Sequence, residues 1–144
     1  MHAAVNTHTL EVFEETRKYP RIKKRLPVKI TTDQGQTILC NLYDISSDGI
    51  QVRCERETAC KIHPGGLTID RKKDNTVVIT FSLPVENEDI KITVTCKIYY
   101  VAIVPDNVDE QFAIGLTFKK FEGQTVKYIG RYILDELEQS SAAF

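Results

Sequence analysis

Two groups of residues in the first third of the chain carry the side chains that an anion-binding site needs. The first group is Arg17 followed four residues later by Arg21. The second is the segment Asp44-Ile45-Ser46-Ser47-Asp48-Gly49, which supplies a carboxylate, a hydroxyl and a glycine. A guanidinium donates two parallel hydrogen bonds to a phosphate or to the acceptor edge of a base, and its flat face also stacks on a base. The two groups together therefore predict one small anion-binding site.

In this order, one hairpin apart, the two groups resemble the paired signatures R-x-x-x-R and [DN]-x-S-x-x-G of the PilZ domain, a bacterial receptor for cyclic di-GMP. The resemblance implies that Arg17, Arg21, Asp44, Ser46 and Gly49 contact this ligand. Asp44 can accept hydrogen bonds from the N–H groups of guanine, and Ser46 can donate or accept one. Gly49 is expected to adopt a positive φ and to leave its backbone open to the ligand.

Two more cationic side chains are candidate ligand contacts. Lys18 follows the first arginine and offers a contact to phosphate, although it lacks the flat stacking face of arginine. Arg53 follows the glycine of the second signature on the next predicted strand. Many PilZ domains carry a further arginine immediately before the first signature, and this chain has Thr16 there. In the family that arginine is associated with a second, stacked ligand molecule. The sequence therefore leaves open whether one or two ligand molecules bind.

The arginine signature has two overlapping registers in this sequence. Arg21 and Arg25 also stand four residues apart. We favour Arg17 with Arg21, because Tyr19, Pro20 and the downstream segment 26–28 match the local context of PilZ domains in that register. Arg25 is then predicted to be a solvated surface charge.

Composition is that of an ordinary folded domain. The chain has 144 residues, of which 42% are hydrophobic and 27% are charged, so it can form one core without a disulfide or a metal. The formal net charge of −1 does not favour binding to a nucleic acid polymer. Positive charge is concentrated locally, because seven of the thirteen residues from 17 to 29 are lysine or arginine.

The cysteines and the hydropathy of the chain exclude several classes of protein. The four cysteines form no C-x-x-C pair and have no closely spaced histidine pair beside them, so no metal site is expected. Cys54 and Cys96 are in phase with apolar strand positions and are predicted to be small core residues. No apolar stretch reaches the length of a membrane span, and no secretory signal is apparent. We expect a cytoplasmic protein with reduced thiols and no cofactor.

Hydrophobic periodicity and turn signals predict six strands and one helix. The predicted strands are Val28–Thr32, Thr37–Tyr43, Ile50–Cys54, Val77–Leu83, Ile90–Ile98 and Phe112–Phe118. Gln124–Gln139 is predicted to be an amphipathic helix. Its expected buried stripe consists of Val126, Ile129, Ile133 and Leu137.

Three local predictions concern the segments around these strands. Gln51 and Arg53 alternate with apolar residues, so they are expected to face away from the core on a half-buried strand. The stretch from Glu55 to Gly66 is predicted to be irregular. Gly115 interrupts an apolar strand, which predicts a bulge or a close approach of another group to the backbone.

Short strands without repeating helical crossovers favour an antiparallel barrel or sandwich. The resemblance narrows this to a mainly β fold, a small antiparallel six-stranded β-barrel with a C-terminal α-helix. The predicted domain covers residues 16–139. It is preceded by an N-terminal arm or short helix at 1–15 and followed by a tail at 140–144.

The resemblance implies a non-enzymatic cyclic di-GMP receptor that changes conformation and signals to a partner protein in motility, adhesion, biofilm or virulence control. The alternative is a PilZ-like adaptor that binds proteins and no nucleotide. A single-stranded nucleic acid binder would need interleaved aromatic platforms, and Tyr19 is the sole aromatic residue of the basic segment. We see no set of nucleophile and base and no phosphate loop, so an enzyme is not expected.

Overall fold

The computed structural model describes residues 19–142, with side chains through residue 139. Arg17, Lys18, Thr16 and the predicted arm at 1–15 lie outside the described residues. Within them, six strands and two helices follow one another in chain order. The strands are β1 (Ile22–Thr32), β2 (Thr37–Ile45), β3 (Gly49–Cys54), β4 (Thr76–Val85), β5 (Glu88–Ile103) and β6 (Phe112–Phe121), and the helices are α1 (Arg56–Ile62) and α2 (Thr125–Ala142).

The six strands close into a barrel in the order β1-β2-β3-β6-β5-β4, and β4 pairs with β1 to complete it. All neighbouring strands are antiparallel. Closure removes the exposed strand edges that an open sheet of this size would present. The prediction of a six-stranded antiparallel barrel with a C-terminal helix is confirmed.

The barrel interior is filled by the apolar residues that alternate along each strand. On β3, Ile50 and Val52 are fully buried, and Cys54 continues the same inward face. Cys96 lies on the inward face of β5 and is also buried. Desolvation by burial raises the pKa of Cys54 to about 12, so this thiol is protonated at neutral pH. The prediction that Cys54 and Cys96 are core residues is confirmed.

The first strand begins earlier than the sequence suggested, at Ile22 instead of Val28. Pro27 lies inside β1 opposite Asn41 of β2, whereas the pairing of β1 with β4 begins only at Lys29. A proline cannot donate a hydrogen bond to a neighbouring strand, and it is tolerated where one side of the strand is unpaired. The strand also contains an irregularity between Lys23 and Leu26 that accommodates the basic segment.

The prediction that 55–66 is irregular throughout was wrong, because α1 occupies Arg56–Ile62. Ala59 and Ile62 stand three residues apart on one face of this helix and join the hydrophobic core. The helix is too short to show the repeated apolar spacing on which helix prediction depends. It packs against β2 and β6.

The C-terminal helix buries a stripe that differs in part from the predicted one. Ile129 and Ile133 lie in the core and Leu137 packs against it, as expected, and Tyr132 joins them. Val126 was assigned to the same stripe wrongly, because it lies at the edge of the packed face and is 53% exposed. Neither helix within 19–142 has the length and apolarity required to traverse a lipid bilayer.

Two leucines of β2 provide a direct test of the face assignment. Leu42 is fully buried and Leu39 is 76% exposed on the same strand. We expect Leu42→Ala to lower the free energy of unfolding by about 2–5 kcal/mol, because it removes apolar contacts and leaves a cavity. The matched variant Leu39→Ala should change it by less than about 0.5 kcal/mol. Urea unfolding followed by circular dichroism measures both, and equal losses would contradict the inward and outward assignment.

Candidate functional site

The turn between β2 and β3 holds the second signature. Ser46 is buried, and its backbone N–H donates to the carbonyl oxygen of Gly49 at 2.9 Å, which closes the turn. The Ser46 hydroxyl donates to the carboxylate of Asp48, and the Asp48 carbonyl accepts from the N–H of Phe118 on β6. Asp48 therefore anchors the turn to a third strand.

Arg21, the residue directly before β1, lies against Asp44. Its Nη1 donates to the Asp44 carboxylate over 2.9 Å. The register of the two strands, with Lys23 opposite Asp44, brings the guanidinium to this carboxylate. Asp44 is only 2% exposed, and a buried carboxylate needs such a charged hydrogen-bonding partner to remain ionised. The structure thus joins one residue of each signature in a single ion pair.

Arg25 is directed elsewhere. Its guanidinium donates two hydrogen bonds to the Glu110 carboxylate, at 2.8 and 2.5 Å, and this contact raises its pKa. The Arg25 side chain is about half exposed, as expected for a surface charge, but it is ion-paired and not simply solvated. Of the arginines at 21 and 25, it is therefore Arg21 that contacts the signature aspartate. The other member of the favoured register, Arg17, lies outside the described residues.

The predicted positive φ of Gly49 was wrong. Gly49 does not have a positive φ; among the described glycines, those that do are Gly35, Gly66 and Gly123. A Cβ at Gly49 would lie 2.1 Å from the carbonyl oxygen of Leu116 on β6. The glycine is required because β3 and β6 approach each other closely at this point. Tertiary packing of this kind leaves no signal in the local sequence.

Strand β3 is buried on both faces. The expectation of a half-buried strand was therefore wrong. Gln51 and Arg53 do face away from the apolar core, but they are only 1% and 7% exposed. Their side chains bond to each other, because Arg53 Nε donates to Gln51 Oε1 at 2.7 Å. Gln51 Nε2 in turn donates to the Tyr100 hydroxyl at 2.7 Å. Mutual hydrogen bonds make the burial of these polar groups tolerable.

Tyr43, an aromatic side chain that the sequence analysis did not identify, packs against Arg53. The Arg53 guanidinium carbon lies 3.7 Å from the ring centre of Tyr43, and Lys23 Nζ approaches the same ring to 5.7 Å. A cation over an aromatic face is attracted by the ring quadrupole. Tyr43 directly precedes Asp44, and that position was the signal available in the sequence.

The predicted close approach at Gly115 is confirmed. A Cβ on Gly115 would lie 2.2 Å from a ring carbon of Tyr100, so the tyrosine ring covers the glycine backbone. Gly115 is paired with Gln51 of β3 and with Tyr100 of β5, and β5 is irregular between Ile98 and Tyr100. The absence of a side chain at 115 lets the Tyr100 hydroxyl reach Gln51.

These contacts bring together a group of side chains on the outward side of the barrel wall, which we call the outer polar face. It consists of Arg21, Lys23, Tyr43, Asp44, Gln51, Arg53 and Tyr100. Three cations and one carboxylate give it local positive charge although the whole chain is nearly neutral. Across residues 19–142, no group of three or more His, Cys, Asp or Glu side chains could hold a metal ion.

The fold and the signatures on it define a class of protein. The sequence model of the PilZ domain matches residues 15–135. The match covers most of the chain, and the chain therefore belongs to the PilZ domain family. No curated protein matches the sequence.

Solved structures share the fold at low sequence identity. The inhibitor of motility MotI/DgrA of Bacillus subtilis is similar with a TM-score of 0.61 and 19% identity, over 85% of this chain and 52% of that one. The K. pneumonia MrkH–c-di-GMP complex is similar with a TM-score of 0.60 and 18% identity, over 89% of this chain and 55% of that one. The chain thus spans about half the length of these two proteins.

The packing role of Gly49 generates a stability prediction. We expect Gly49→Ala to lower the free energy of unfolding by about 1–3 kcal/mol, because the added methyl group forces β3 and β6 apart. The control is Ser47→Ala in the same turn, which is exposed and should change stability by less than about 0.5 kcal/mol. Thermal unfolding of the two variants measures the difference. A Gly49→Ala protein as stable as the control would show that the strands do not need the glycine.

Proposed function

We propose that this protein is a non-enzymatic receptor for cyclic di-GMP and that the ligand binds on the outer polar face around Asp44. The observation that carries the proposal is the ion pair between Arg21 and Asp44 at 2.9 Å. It holds a donor for phosphate next to an acceptor for guanine, in a chain of the PilZ domain family. One of the structural neighbours, MrkH, was solved as a complex with c-di-GMP.

Arg21 is proposed to bind the ligand without leaving Asp44. A guanidinium has five N–H donors, and the Arg21 contact to Asp44 is a single hydrogen bond from Nη1. The remaining donors of Arg21 serve a phosphate or the O6 and N7 acceptors of guanine. The Asp44 carboxylate, which has about four lone-pair sites, accepts from the N–H groups of the guanine edge.

The other signature residues have supporting roles in this proposal. Ser46 and Gly49 maintain the turn that presents Asp44, since the Ser46 hydroxyl is engaged with Asp48 and Gly49 lets β3 approach β6. Arg17 and Lys18 are proposed to add phosphate contacts from the segment that precedes the described residues.

Arg53 is proposed as a second guanidinium for the ligand. Its stacking on Tyr43 and its hydrogen bond to Gln51 fix the side chain before the ligand arrives. A side chain that is already ordered loses less conformational entropy on binding than a mobile one. Arg53 and Gln51 lie on the same face of β3, and Gln51 is directly opposite Asp44, so one ligand can span both.

The proposed output is a change in the surface presented to a partner protein. A dianionic ligand that binds the basic residues around the beginning of β1 would change the surface there, and conformational changes of this kind are a common way to switch a binding surface. The partner is proposed to act in motility, adhesion, biofilm or virulence control, as the family resemblance implies. The number of bound ligand molecules is left to measurement.

The proposal predicts different effects for two neighbouring arginines. Arg21→Ala and Asp44→Asn should each weaken cyclic di-GMP binding by about 10- to 100-fold, because each removes hydrogen bonds to a charged group. Arg25→Ala should change the dissociation constant by less than about twofold, since Arg25 is engaged with Glu110. Isothermal titration calorimetry with cyclic di-GMP, and with GTP as the control ligand, measures these constants and the stoichiometry.

Two outcomes of this titration would contradict the proposal. Equal losses from Arg21→Ala and Arg25→Ala would reject the assignment of Arg21 to the site. No binding by the wild-type protein would favour the alternative, a PilZ-like adaptor that contacts proteins and not nucleotides. Circular dichroism of each variant establishes that a loss of binding is not a loss of fold.

A further inference from the structure

The outward face of α2 carries an apolar strip that nothing in the described part of the chain covers. Val126 and Leu134 are 53% and 48% exposed. Gly130 stands midway between them, one helical turn from each, and is also exposed. Residues four apart lie on the same side of a helix. The three residues therefore form one strip, which runs beside the face that packs on the barrel.

Gly130 is not required by the packing of the protein itself. A Cβ built on it would meet no atom within 4 Å, and its φ is not positive. Glycine is among the least favourable residues for a helix interior, so its presence at the centre of α2 lacks a local reason. A close approach by a second helix would provide one, because a missing side chain leaves room for a partner residue.

The charges along α2 indicate what kind of helix fits there. The first half of the helix carries Lys127 and Arg131, and the second half carries Asp135, Glu136 and Glu138. A second copy of α2 in antiparallel orientation places the acidic half of one helix beside the basic half of the other. Lys127 and Glu138 are both exposed and form no ion pair among the residues that the structure describes.

One register of the antiparallel pair satisfies both the apolar and the charged residues. With Leu134 of each copy opposite Gly130 of the other, the midpoint of the pair falls at position 132. With Lys127 opposite Glu138, the midpoint falls at 132.5. The two midpoints differ by half a residue, or about 0.75 Å along the helix axis, so one register accommodates both contacts. Lys127 and Glu138 also lie on the same side of the strip. A two-fold axis places equivalent sides of the two helices next to each other, so Lys127 of one copy can reach Glu138 of the other.

We propose that α2 is a self-association surface on which two copies of this protein pair through antiparallel helices. Leu134 of each copy packs on Gly130 of the other, and Lys127 of each copy pairs with Glu138 of the other. The contact is two-fold symmetric, so it closes as a dimer and does not propagate. Two helix faces bury less area than a standard interface, so we expect a micromolar dissociation constant. The inference does not depend on ligand binding at the outer polar face.

Sedimentation velocity of the full chain, from low micromolar to near-millimolar concentration, tests the surface. The wild-type protein should shift from monomer to dimer over this range. Leu134→Glu should raise the dissociation constant by more than about tenfold, because it places a charge at the apolar contact. The matched control is Leu39→Glu, since Leu39 is an even more exposed leucine on β2, and it should leave the association unchanged.

Charge reversal tests the orientation of the helices. Lys127→Glu and Glu138→Lys should each weaken the dimer by about 3- to 10-fold, because each creates two like-charge contacts. The double variant should return to within about twofold of the wild-type value, since the pairs are restored with reversed sign. Circular dichroism verifies the helical content of every variant.

Three results would overturn the proposal. The first is a wild-type protein that stays monomeric at every concentration. The second is a Leu134→Glu variant that associates as the Leu39→Glu control does. The third is a double charge variant no stronger than the single ones, which would reject the antiparallel register.

Discussion

The buried carboxylate of Asp44 is the constraint on which the site depends. An ionised carboxylate removed from water requires a partner that carries opposite charge and donates hydrogen bonds. Arg21 meets this need from the position directly before β1, 23 residues earlier in the chain. The ion pair therefore fixes where the basic segment enters the barrel. Because β1 also closes the barrel against β4, the same strand joins the site to the fold.

Two glycines allow the polar residues around Asp44 to be buried without losing their hydrogen bonds. Gly49 permits the close approach of β3 to β6, and Gly115 makes room for the ring of Tyr100. The Tyr100 hydroxyl then accepts from Gln51, and Gln51 in turn accepts from Arg53. Polar networks of this type are rigid when every member is satisfied. The side chains of the outer polar face are thus already ordered by their mutual hydrogen bonds, which lowers the entropic cost of binding a ligand.

The sequence predicted the architecture well because the strands alternate strictly and the turns contain strong signals. The predicted strands Val28–Thr32 and Thr37–Tyr43 fall within β1 and β2, and Gly35 in the turn between them has a φ of +83°. Helix α1 was missed because seven residues give too few turns to establish a period. Val126 was assigned to the buried face because it shares the spacing of Ile129 and Ile133, although the helix faces the barrel with Tyr132 as well.

The site was predictable in its residues and less so in their physical roles. The signatures identified Asp44 and Arg21, and the structure brings them into contact. They did not reveal that Gly49 is needed for packing, since Leu116 lies more than 60 residues away in sequence. The contact of Tyr43 with Arg53 was missed for a similar reason, because it depends on the pairing of β2 with β3. Interactions between strands cannot be read from local sequence patterns.

The central claim is that cyclic di-GMP binds where Arg21 meets Asp44. The most direct test is a nuclear magnetic resonance titration of the isotope-labelled wild-type protein, in which backbone amide and arginine Nε–H signals are followed as cyclic di-GMP is added. We expect the largest shifts at Arg21, at the 44–49 turn and at Arg53, with little change at Arg25 or on α2. Saturable shifts centred on another part of the barrel, or no shifts at all, would contradict the account.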